Sequence, residues 1–138
     1  MSALVGCGER QPPVESGVGD GALTLVIEGE AIACYTVSLD KVDAERGVLG
    51  VIEYLGEIDA LSYEMSGTML TRIGELANGE GGRYIYVFTS VAADHDVSQY
   101  AKTAVYGDMT LGSTGVGIEE MTVEAGMVIY IALVAFVW

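Results

Sequence analysis

The chain holds one histidine, His95, set between two aspartates in Asp94-His95-Asp96. A histidine beside carboxylates is suited to general-base work, but such chemistry also needs a nucleophile within reach of the ring. No Ser- or Cys-centred motif of known form supplies one, so the pattern points away from an enzyme. Asp94, Asp96 and Ser98 fall at alternate positions, as do the first three oxygen ligands of a helix–loop–helix calcium site. Position 6 of that loop would be Gln99 instead of glycine, and position 12 Val105 instead of the bidentate glutamate. No metal is therefore assigned. A solvated polar loop is the favoured reading and a weak surface cation site the alternative. Gly115-Val116-Gly117 lacks the strand–glycine–helix context of a nucleotide fingerprint and reads as a tight turn.

The Asp-His-Asp triplet lies in a stretch of about twenty residues, 91–111, without clear hydrophobic periodicity. Connections of that length in compact domains usually carry function. Tyr100 and Tyr106 lie in the same stretch, where rings can stack on a flat ligand or a partner. Thr89 and Ser90 close the strand that leads into it. The candidate ligand-binding set is thus Thr89, Ser90, Asp94, His95, Asp96, Tyr100 and Tyr106. The alternative is that the tyrosines fold back onto the sheet.

A second chemical candidate is Cys7. Leu4-Val5-Gly6-Cys7 has the form of a bacterial lipobox, in which the thiol takes a diacylglyceryl group. The polar, glycine- and proline-bearing residues 8–21 would follow as a tether. Only Met1-Ser2-Ala3 precede the tetrapeptide, so the start of a signal peptide is expected to be truncated or the likeness is chance. Lipidated Cys7 would be the sole membrane contact and would place the domain outside the cytoplasm. A Cys7–Cys34 disulfide is the weaker alternative, because a mobile tail rarely holds the geometry.

Charge narrows the partners. Six Lys plus Arg against 20 Asp plus Glu give a formal charge of −14. Such a field repels phosphate backbones and anionic lipid, which excludes nucleic acid. The 51% hydrophobic content argues against disorder.

Several elements must position these groups. Residues 127–138, Met-Val-Ile-Tyr-Ile-Ala-Leu-Val-Ala-Phe-Val-Trp, are uncharged, β-branched and aromatic. The run is too short to span a bilayer as a helix and reads as a strand buried on both faces. Residues 22–28 and 34–39 read as a hairpin around Gly29-Glu30. Val48, Val51, Ile52, Leu55 and Ile58 recur at helical spacing, with Asp43 a candidate cap. Residues 61–65, 69–76 and 84–90 read as further strands, the last after the turn Asn78-Gly79-Glu80-Gly81-Gly82. Hairpin, helix, two or three strands and a closing strand predict an α+β fold of β-grasp-like order. It would be a mixed sheet crossed by one helix, with the C-terminal strand central and parallel to the first. Residues 1–21 form the N-terminal segment and 22–138 the domain.

Certain residues carry a family likeness. Gly47-Val-Leu-Gly-Val-Ile-Glu-Tyr-Leu55, Tyr63-Glu-Met-Ser-Gly-Thr-Met-Leu-Thr-Arg-Ile-Gly74, Gly82-Arg-Tyr-Ile-Tyr86, Val116-Gly117 and Glu124-Ala-Gly126 occur in series. The series resembles a secreted bacterial domain of unknown function related to the C-terminal domain of transcobalamin and intrinsic factor. It covers residues 22–134 through short, hydrophobic motifs. The turn Glu124-Ala125-Gly126-Met127 departs from the family's Asp-Gly-Asp, and the strand at 84–90 departs from its Trp-Met-Tyr-Tyr-Val-Asn-Gly. The resemblance implies a β-grasp-like fold and, faintly, a corrinoid-like ligand. The expected function is a non-catalytic, lipid-anchored extracytoplasmic module that binds a small planar ligand or a surface protein, with no resident cofactor. The alternative is a structural or interaction domain of a cell-surface assembly without a small ligand.

Overall fold

The computed structural model describes residues 21–29, 32–67, 69–99, 101–107 and 109–135. Strands β1 (Ala22–Glu28) and β2 (Ile32–Ser38) form an antiparallel hairpin. Two 3-10 turns, Leu39–Lys41 and Ala44–Arg46, lead into helix α1 (Gly47–Glu57). Asp43 caps this second turn, its Oδ1 accepting from Glu45 N at 3.0 Å, rather than α1 itself, whose N-cap Arg46 makes no side-chain capping bond. Then come β3 (Tyr63–Ser66), β4 (Met69–Ile73), β5 (Leu76–Ala77), β6 (Arg83–Thr89), β7 (Thr103–Tyr106), β8 (Met109–Ser113) and β9 (Val128–Ala135).

The fold is α+β. A six-stranded mixed sheet runs in the order β2-β1-β9-β6-β8-β7, and β3-β4-β5 form a small sheet of their own. β9 lies between β1, its parallel neighbour, and β6, its antiparallel one. Its first five residues are all buried, so its unbroken apolar run has a physical cause: both faces and both edges are covered. The register Leu25↔Ile129 and Ile27↔Ile131 puts these side chains on one face. There they meet Val48, Val51, Ile52 and Leu55 of α1 in the main core. Burying each such side chain is worth about 1.5–3 kcal/mol.

Alternate residues point to the second face, where Val26, Phe88, Leu111, Val128, Tyr130 and Ala132 form another cluster. No helix covers it. Instead the sheet rolls on itself. β8 pairs with β6 at two positions only, Phe88↔Ser113 and Thr89↔Gly112, and the β7–β8 hairpin then bends across this face. Tyr106 Oη on one edge strand comes 4.0 Å from Cys34 Sγ on the other. In a flat sheet five strand spacings would hold them about 24 Å apart. The aperiodic residues 91–111 thus contain β7 and the start of β8 rather than one long loop, and six strands, not two or three, lie between α1 and β9.

Candidate functional site

The segment expected to bind a ligand is held by its own chain. Thr89 is fully buried, and its Oγ1 accepts from Val91 N at 3.0 Å. Ser90 Oγ accepts from Val128 N at 2.9 Å, tying the strand end to β9. Asp94 is buried, and its carboxylate accepts from Thr122 N at 2.6 Å and Thr122 Oγ1 at 3.4 Å. His95 Nε2 lies 2.8 Å from Thr89 O, while the ring covers Gly112 so closely that a Cβ there would sit 2.7 Å from ring Cγ. Buried Asp94 therefore turns to Thr122 and His95 to Thr89. Asp96 closes a local turn, accepting from Ser98 N at 2.9 Å and Ser98 Oγ at 3.1 Å.

Tyr106 belongs to β7 and packs over the second face, its ring centroid 6.1 Å from that of Tyr130. Burial pushes its phenol above the ordinary value. Tyr130 is pushed up further, by burial first and then by the 2.8 Å hydrogen bond it donates to Glu28 Oε1. So Thr89, Asp94 and His95 are brought together around the β6–β8 junction, and Tyr106 joins a separate aromatic cluster. Tyr100 and Cys7 lie outside the described residues. Cys34 is disulfide-bonded.

The clamping of the 94–96 segment has a consequence nearby. Past Ser113 the chain is captured by that segment: Asp96 N donates to Ser113 O, Gly115 N donates to Asp94 O, and His95 pairs with Thr114. One last bond, Thr114 N to Val87 O at 2.9 Å, reaches β6. Further along the same edge, the Asn78 side chain stands in for a strand. Its Oδ1 accepts from Ile85 N at 2.7 Å and its Nδ2 donates to Leu70 O at 3.1 Å. Between these two contacts β6 lines a groove of about 440 Å³ floored by residues 84–87. One wall is Met69, Leu70 and Asn78, and the other is the 113–118 segment. Met69, Tyr84 and Val116 form an apolar rim, 61%, 46% and 37% exposed. Among the described residues no charged side chain lines the groove.

Sequence reasoning missed this groove because its parts come from four separate segments. The one visible signal was Asn78 at the head of a glycine-rich turn beside an aromatic strand. A second hollow, about 570 Å³, lies at the end of α1 and is lined by Glu53, Glu57, Asp59 and Tyr63 among others. It is wider but carboxylate-lined, with no apolar rim to desolvate a ligand. Among the described residues no group of three or more His, Cys, Asp or Glu is placed to hold a metal, and no helix is long and apolar enough to cross a membrane. Comparison with protein-family models and with curated proteins finds no match.

Proposed function

We propose that the chain is a non-catalytic binding module whose ligand sits in the groove along β6. The observation that carries this reading is the groove itself. It is a pre-formed, uncharged hollow with an apolar rim on a molecule of charge −14, inside the size range of about 300–1,000 Å³ usual for ligand sites. The absence of catalysis is supported by the commitment of Asp94 and His95 to internal hydrogen bonds, which removes them as an acid–base pair. The fold fits this role as a β-grasp-like domain with a hairpin, a crossing helix and a last strand parallel to the first, in which β8 pairs with only the end of β6 and leaves the rest of that edge for binding. That order also supports the proposed kinship with transcobalamin-type C-terminal domains, and through it a corrinoid-like ligand as one arm of the test.

Thermal unfolding in the presence of corrinoids and other planar metabolites tests the reading. A ligand at a hundredfold excess over its Kd stabilises by about 2.7 kcal/mol, which a melting scan resolves. The expected result is a rise in Tm for at least one compound, abolished in Val116→Arg, whose exposed rim position leaves the core intact. Equal responses in wild type and variant overturn the groove as the site, and a flat response across the panel removes planar metabolites as its occupants. The lipid anchor at Cys7 is a separate proposal. A thioether at Cys7 and a disulfide to Cys34 compete for one sulfur, so the intact mass of membrane-extracted protein decides between them.

A further inference from the structure

The floor of the groove presents two backbone groups that no hydrogen bond among the described residues reaches, Val87 N–H and Ile85 C=O. Odd-numbered residues of β6 turn their amides away from β9, since Ser90 N bonds to Val128 O and the even residues follow it. Four such groups line the open edge here. Val87 O is taken by Thr114 N, and Ile85 N is taken by Asn78 Oδ1. The remaining pair, one donor and one acceptor, flanks Tyr86.

Resting on the groove reading above, we propose that the occupant is an extended peptide segment of another protein, uncharged at its centre and basic at its flanks, lying parallel to β6. In parallel pairing one residue donates to the carbonyl before its opposite number and accepts from the amide after it. A single peptide residue opposite Tyr86 would thus donate to Ile85 O and accept from Val87 N, satisfying both open groups. Antiparallel pairing would reach the same two groups only through two peptide residues, those opposite Ile85 and Val87, whose remaining main-chain groups would face the occupied Ile85 N and Val87 O, so the one-residue gap favours the parallel arrangement. Strand addition of this kind draws affinity from main-chain bonds and specificity from side-chain pockets. Here the pockets are apolar, bounded by Met69, Tyr84 and Val116. The groove itself offers no charge, so the field of a −14 molecule selects the flanks: basic residues are drawn in and acidic ones repelled.

The test uses the full chain and three capped peptides: Lys-Lys-Val-Leu-Val-Lys-Lys, the same peptide N-methylated at the central Leu, and a version with Glu for every Lys. Binding is read by amide chemical shifts in the ¹⁵N-labelled protein. The Lys peptide is expected to move the Val87 amide downfield together with residues 113–118. The N-methylated and Glu versions are each expected to bind at least tenfold more weakly, and Val116→Arg to lose binding at unchanged Tm. If the N-methylated peptide binds as well as its parent, or Val87 does not move, strand addition is overturned. If a compound of the metabolite panel moves residues 84–87 while no peptide does, the peptide assignment fails and the groove reading stands. If neither moves them, both fail. Val87 shifts that depend on protein concentration alone, or that follow deletion of residues 136–138, would assign the groove to a second copy or to the chain's own end and overturn the proposal.

Discussion

Asp94 shows how a residue that looks chemical in sequence becomes structural in space. Its carboxylate joins the 3-10 turn Ala92–Asp94 to Thr122, twenty-eight residues on, and its backbone carbonyl holds Gly115. A triplet with histidine between two acids advertises chemistry at short range, and nothing local in the sequence reveals the distant partner. Asp94→Ala would leave the Thr122 amide without its charged acceptor, and bonds to charged groups are worth about 1.5–3 kcal/mol. Asp94→Ala is therefore expected to destabilise by that amount in denaturant unfolding, with Asp94→Asn losing less because it keeps one acceptor oxygen. An Asp94→Ala protein of wild-type stability would mean that Asp94 is free for a ligand after all.

At the level of elements, legibility tracked length and burial. β9 and α1 were readable because each presents a long, consistent pattern: eight residues buried on both faces at first, and a four-residue stripe on one face. β7 was not, because over its four residues exposure alternates only weakly, and the neighbouring hairpin partner is marked by glycine and threonine rather than by apolar runs. Propensity alone also misjudges α1. Gly50 and Gly56 should each weaken a helix by about 1 kcal/mol relative to alanine, yet both sit where the helix makes close contact. A Cβ on Gly50 would lie 2.7 Å from the Asp43 carbonyl oxygen, and one on Gly56 2.8 Å from the Tyr63 ring. The Asp43 obstacle is backbone at the capped turn and cannot swing aside. Gly50→Ala is accordingly expected to destabilise, by about 1–3 kcal/mol as other over-packed sites do, despite the better helix former. Gly56→Ala should cost less, because the Tyr63 ring can move. A stabilised Gly50→Ala protein in the same unfolding assay would refute the close approach.

For the molecule as a whole, the excess of carboxylates makes stability a question of pH and salt. With 20 acidic residues against six basic ones, self-repulsion at pH 7 opposes the compact state. Protonating carboxylates as pH falls towards the pI of 4.1 relieves it. One pair opposes the trend. Glu53 accepts from Arg46 Nε and Nη2 at 2.6 and 2.7 Å, and these hydrogen bonds hold its carboxyl below the ordinary value. A carboxyl lowered on folding contributes stability above its unfolded value, about 4.3, and loses it as pH falls through the lower folded value. Both partners are substantially exposed, so this contribution is small. Melting temperature is thus expected to rise from pH 7 to about pH 5 and then fall on the acid side. Glu53→Gln should lower Tm slightly above about pH 4.3 and flatten the acid-side fall, since only the pH dependence of the pair is confined to the range below that value. Raising salt from about 0.01 M to about 0.15 M shortens the screening length from about 30 to about 8 Å. It should increase Tm at pH 7 and have little effect near the pI, where few uncompensated charges remain. Equal salt responses at the two pH values would show that the −14 charge does not govern the stability of this fold.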